Sequence, residues 1–77
     1  MNKYKDKYGR VWKVGKVETH RPNDKSQYYS IWQYTKNGCF LAKELMPNRF
    51  GTNKRSYAQQ ILDNFAQLQG WKAVREE

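Results

Sequence analysis

The 77 residues contain one cysteine, one histidine, two prolines and only seven acidic side chains. Each scarcity excludes something. A single cysteine, Cys39, forbids an internal disulfide and fits a reducing compartment. One histidine, one cysteine and one aspartate on the helical segment supply neither a nucleophile–base set nor a zinc cluster. No catalytic residue, metal or cofactor is therefore expected, and the chain reads as a binding protein and not an enzyme. His20 is expected as an exposed loop residue, and Cys39 as a small half-buried strand residue. No apolar run approaches the roughly 18 residues that a membrane span needs. The opening MNKYKDKYGR lacks the hydrophobic segment of a signal peptide. The expectation is a soluble, cytoplasmic protein with no membrane partner.

What the chain has in quantity is positive charge and rings. Fifteen Lys and Arg give a formal net charge of +8. Residues 1–38 carry nine of these cations and three acids, whereas residues 39–77 carry six and four. An excess of this size in so small a domain implies a polyanion or an acidic protein surface as partner. Aromatic residues make up 16% of the chain. A domain of this length buries only about 60% of its unfolded surface, so some rings must reach the outside or dominate the core.

The chain is expected to form one small domain over 1–77, with 1–9 a flexible arm, 10–70 the folded core and 71–77 a tail. RVWKVGKVET (10–19) is β-branched and aromatic, as strands are, and its Gly15 points to a bulge or a close approach of another backbone. HRPNDKS is a turn-rich loop. Residues 27–35 form a second strand and 39–46 a third, joined through Lys36-Asn37-Gly38. A two-residue turn on Asn37-Gly38 would set Trp32 opposite Lys43. A three-residue loop would set Trp32 opposite Ala42. From Asn53 to Gln69, Tyr57, Ala58, Ile61, Leu62, Phe65, Ala66 and Leu68 recur at spacings of three and four, which is the stripe of an amphipathic helix. Thr52 or Asn53 can cap its start. Gly70 can end it in the left-handed conformation, with Trp71 folding back on Phe65 or Ala66. The fold class is α+β: a three-stranded antiparallel β-meander with one C-terminal helix packed on one face, β-β-β-α.

One helix covers one face of a sheet, and the other face meets water or a partner. Residues 28–34 place Tyr28, Trp32 and Tyr34 on one side and Tyr29 with Ile31 on the other. The expectation is that Tyr29 and Ile31 meet the helix and that the Trp32 side is the working surface. Lys13, Lys16, Lys36 and Lys43 interleave with these rings. Basic groups hold phosphates, while rings stack on bases or pack on the thymine methyl. Lys54 and Arg55 at the helix start add cations where backbone N–H groups already favour an anion.

GRVWKVGKVETHRPNDKSQYYSIWQYTKNGCFLAKELM, followed by KRSYAQQILDNFAQLQG, resembles in order and spacing the three-stranded-sheet DNA-binding domain at the N-terminus of conjugative-transposon integrases. The plant AP2/ERF domain shares that layout. The resemblance covers about residues 9–70 and implies a sheet lying in the DNA major groove with the helix behind it. It further implies Arg10, Lys13, Lys16, Trp32, Tyr34 and Lys43 as contacts. No recombinase catalytic motif is present, so binding without strand cleavage is expected, and Glu18 and Glu44 are expected to put negative charge on the strands.

The functional expectation is a small nucleic-acid-binding module, for duplex DNA ahead of RNA. Trp32, Tyr34 and Lys43 would lie near bases, Arg10, Lys13, Lys16, Lys54 and Arg55 near phosphates, and Lys36 is a further expected nucleic-acid contact. The alternative is a protein-binding inhibitor or adaptor of a phage or mobile element, docking on an acidic or nucleic-acid-binding partner.

Overall fold

The computed structural model describes residues 2–17, 27–48 and 51–74. The loop expected around His20 and the residue Glu18 lie outside them. The described residues form strands β1 (Lys3–Lys5), β2 (Val11–Val17), β3 (Tyr28–Thr35) and β4 (Gly38–Leu41), helix α1 (Arg55–Gln69) and strand β5 (Lys72–Val74). The strands make one sheet in the order β4-β3-β2-β1-β5, with every neighbouring pair antiparallel. The α+β class and the single helix agree with the sequence reading, but the sheet has five strands and not three.

Both added strands come from segments expected to be an arm and a tail. Residues 3–5 pair with β2, setting Tyr4 opposite Trp12, and β5 pairs with β1, setting Tyr4 opposite Ala73. Two stretches too short to fold alone are held here by rings. Tyr4 is buried, and its hydroxyl donates to Asp63 Oδ1 on α1 at 2.6 Å. Trp71 stacks on the fully buried Trp12 with ring centroids 4.6 Å apart, and the Phe65 ring lies against it at 5.1 Å. Aromatic pairs of this kind contribute about 0.5–1.5 kcal/mol beyond their buried area.

The core lies between the sheet and α1. Ala58, Leu62 and Ala66 form the buried stripe of the helix, and they cluster with Tyr4, Trp12, Val14, Ile31, Ala42 and Met46. Tyr29 packs against this cluster at its margin. Tyr29 and Ile31 therefore do face the helix. The helix starts at Arg55 with Lys54 as its cap residue and no side-chain cap bond. Thr52, an expected cap, accepts a bond from the Lys54 N–H at 3.2 Å instead. The helix ends as its sequence implies, with Gly70 left-handed at φ 71° and its N–H returned to the carbonyls of Ala66 and Gln67.

The β3–β4 hairpin takes neither expected register. Trp32 lies opposite Leu41, Tyr34 opposite Cys39 and Thr35 opposite Gly38, which leaves Lys36 and Asn37 as the turn. Mirror-type turns require positive φ at both central residues, and here positive φ falls on Gly38 (134°), just after the turn. The Thr35 hydroxyl spans the turn, accepting from the Asn37 N–H at 3.1 Å and donating to the Gly38 carbonyl at 3.2 Å. The strand expected over 39–46 stops at Leu41. Residues 42–46 turn inward, with the N–H groups of Leu45 and Met46 both bonded to the Ala42 carbonyl, and Ala42 and Met46 enter the core.

Candidate nucleic-acid interface

Alternation along the strands and the observed register fix both faces of the sheet. Trp12, Val14, Ile31 and Tyr29 point to α1. The opposite face carries Lys3 and Lys5 from β1, Val11, Lys13, Gly15 and Val17 from β2, and Lys72 and Val74 from β5. From β3 and β4 it carries Tyr28, Ser30, Trp32, Tyr34, Cys39 and Leu41. These strand positions include four lysines and no carboxylate. Tyr34, Lys5 and Lys72 are exposed, while Lys3, Lys13, Tyr28 and Trp32 are half-buried. Val17 and Ser30, toward the Tyr28 end, are buried.

The face is polarised from one edge to the other. Tyr28, Trp32 and Tyr34 form a row along β3. Lys13 lies directly across from Trp32, and Lys5 lies directly across from both Val11 and Lys72. Like charges placed opposite each other on a sheet are destabilising, so the Lys5–Lys72 pair works against the fold. The Trp32 indole comes close to Gly15: a Cβ on Gly15 would stand 2.8 Å from Cδ1 of the ring. The β2–β3 register runs without a break through Gly15 and the nearest atoms belong to the Trp32 ring, so this glycine marks neither a bulge nor the close approach of another backbone, but that of a side chain.

Of the nine site residues expected from sequence, Lys13, Trp32 and Tyr34 come together on this face. Lys36 is exposed in the turn at its β3–β4 end, and Lys43 is exposed in the turn after β4 and not on a strand. Lys16 points to the helix side, across from Tyr29. Lys54 and Arg55 are exposed at the start of α1, and the Arg55 guanidinium lies 5.8 Å from the Tyr29 ring centroid. Lys16, Lys54 and Arg55 thus lie on the helix side, away from the Trp32 face.

Arg10 is engaged elsewhere. It stands at the end of the β1–β2 turn, where its Nε donates to the buried Asp6 carboxylate at 2.7 Å. Asp6 also accepts from Trp12 Nε1 at 2.9 Å and from the backbone N–H groups of Tyr8 and Arg10, each at 2.9 Å. Burial alone would raise the Asp6 pKa, but these bonds from Trp12, Arg10 and Tyr8 together hold it below the ordinary carboxylate value. Two other groups are shifted. Tyr4 is raised by its bond to Asp63 and by burial, and Tyr34 is raised by burial and by the neighbouring Cys39 thiol. Cys39 itself is exposed beside Tyr34, more open than its sequence position suggested.

Lys3, Lys5 and Lys72 were not among the expected site residues. Their signal is present in KYK, where two lysines flank a core ring at strand spacing. It is hidden because the segment shows no strand tendency until β2 and β5 enclose it. Among the described residues no helix is long and apolar enough to cross a membrane, and no group of three His, Cys, Asp or Glu could hold a metal ion. Comparison with protein-family models, curated proteins and solved structures found no match.

Proposed function

We propose that the protein binds nucleic acid, duplex DNA in the first place, through the sheet face that α1 leaves uncovered. One observation carries this reading: four lysines and a row of three rings share that face, and its strand positions contain no carboxylate. A face built only for solubility would intersperse both signs of charge. This one places Lys5 and Lys72 opposite each other, at a cost that a polyanion would relieve.

The width of the sheet sets how duplex DNA would fit. Neighbouring strands lie about 4.8 Å apart, so five strands span about 19 Å, whereas the major groove is about 12 Å wide. The β2–β3–β4 part, about 10 Å across, enters the groove and brings Trp32 and Tyr34 to the base edges. Lys3, Lys5 and Lys72, on the two strands beyond it, then reach the phosphates on one side. The row of rings along β3 supports the base contacts, and Lys13 opposite Trp32 adds a cation beside them. Lys16, Lys54 and Arg55 take no part in this contact.

Titration of binding to a mixed DNA pool against salt tests the reading. Three neutralised phosphates, at Lys3, Lys5 and Lys72, predict that log K falls against log salt with a slope of about −2.7. Absence of binding at about 50 mM salt, where such contacts are strong, overturns the proposal. A second reading, a protein-docking adaptor, is favoured by the apolar side chains open to water away from this face: Leu68 is 83% and Tyr57 54% exposed on α1. A stoichiometric protein partner that survives nuclease treatment would favour it.

A further inference from the structure

A groove of about 740 Å³ opens at one end of the molecule, between the β1–β2 turn and the C-terminal end of α1. None of Lys13, Tyr28, Trp32 and Tyr34 lines it, so it is separate from the row of rings on β3. Its volume lies in the range of small-ligand sites. Tyr8, in the turn, is 71% exposed, with Lys7 Nζ and the Arg10 guanidinium each 5.1 Å from its ring centroid. The half-buried Trp71 also lines the groove, stacked on Trp12 and touched at an edge by Phe65. Lys72 and Glu44 are among its other polar lining residues.

We propose that this groove binds a nucleotide unit, with the base against Tyr8 and Trp71 and the phosphate held by Lys7 and Lys72. The choice of ligand follows from the combination. Rings alone would accept any planar apolar group, and cations alone any anion. Together, in a groove of this size, they select a planar anion. Four cations line the groove (Lys5, Lys7, Arg10 and Lys72) against two carboxylates, Asp6 and Glu44. Asp6 is committed to its four hydrogen bonds. Glu44 offers an acceptor, which suits a base edge carrying amino or ring N–H groups. The Asp6 bond also fixes Arg10 beside Tyr8, so the ring and its cation are already in place before a ligand arrives. The nucleotide has two possible sources: a free mononucleotide, or the unpaired end of a strand whose duplex lies on the sheet. The second source rests on the DNA-binding reading, and the first does not.

Nitrogen-15 spectra of the whole chain separate the outcomes, with the Trp71 and Trp32 indole N–H signals as reporters. The probes are adenosine monophosphate, a blunt duplex, and the same duplex with an unpaired overhang. The expected result is that the mononucleotide shifts Trp71 and leaves Trp32 in place. Tyr8→Ala combined with Lys7→Glu then weakens this binding about tenfold or more. Both replaced side chains are exposed, and an unmoved Trp32 indole signal with an unchanged melting temperature shows that the variant is folded. If the mononucleotide gives no shift but the overhang tightens duplex binding about tenfold, and the double variant removes that gain, the groove takes a strand end. No mononucleotide shift together with equal affinity for blunt and overhanging duplexes overturns the proposal. A Trp71 shift that the double variant leaves unchanged overturns it as well. Failure of the blunt duplex to bind counts against the sheet face alone.

Discussion

Trp32 lies on Gly15, so closely that a single methyl group on Gly15 would reach within 2.8 Å of the indole. The ring can come this close to β2 because Gly15 has no side chain. Gly15→Ala should therefore swing the indole off the sheet while the backbone register persists. The expected result is DNA binding weakened about tenfold, in line with the loss of one stacked ring, with a stability change of about 1 kcal/mol. Melting and binding measured on the same sample check both. Loss of folding with no folded fraction left to bind would show that Gly15 serves the core instead.

Asp6 holds the β1–β2 turn together through four donors, and its pKa is depressed. A carboxylate with a lowered folded pKa contributes stability that is complete above its ordinary value, about 3.9. That contribution is lost as pH falls through the folded value. The melting temperature should hold from neutral pH to about 5 and then fall with increasing acid. Asp6→Asn places an amide donor among N–H donors. At neutral pH it should cost about 2–4 kcal/mol, and it should flatten the acid dependence. Thermal melts of both proteins across pH provide the measurement.

The end of the chain belongs to the fold through Trp71. Trp71→Ala removes the stack on Trp12 and the contact with Phe65, and should cost about 2–3 kcal/mol. Shortening the chain to end at Gly70 should cost at least as much, because β5 goes with it. Urea unfolding monitored by far-ultraviolet circular dichroism reads the difference. A short chain as stable as the full one would show that β5 adds nothing.

Tyr34 and Cys39 are cross-strand partners at the β4 edge. Burial is the larger cause of the raised Tyr34 pKa and the thiol the smaller. Cys39→Ala should move the Tyr34 titration part of the way back toward its ordinary value of about 10 and no further. Ultraviolet difference titration against Tyr34→Phe isolates the group.

The helix and the division of the two faces were legible because both rest on periodicity. Ala58, Leu62 and Ala66 recur at helical spacing, and the alternation of Tyr29 with Trp32 assigned the covered and uncovered faces to the right rings. The edge strands were not legible, because Lys3–Lys5 and Lys72–Val74 have no pattern of their own long enough to read. They are strands because Tyr4 and Trp71 find Asp63 and Trp12 far along the chain. The hairpin register failed for a local reason: Asn37-Gly38 looks like the turn, yet the positive φ sits on Gly38 as the first residue of β4. The candidate interface was half legible. Lys13, Trp32 and Tyr34 share the uncovered face, and Lys16 lies on the other side because a lysine two residues past a core valine shares its face. Arg10 looked free in sequence because nothing there joins it to Asp6.

The claim that the uncovered face is the binding face is tested most directly by moving the same charge change from one side of the molecule to the other. Lys3→Glu with Lys5→Glu reverses two cations on that face, and Lys54→Glu with Arg55→Glu reverses two on the helix side. Affinity for duplex DNA is then measured as a function of salt for both proteins. The account predicts that the first pair weakens binding about 30-fold or more and reduces the salt slope by about 2. The second pair should change affinity by no more than about threefold. Equal losses from the two pairs, or a larger loss from Lys54 and Arg55, would contradict it.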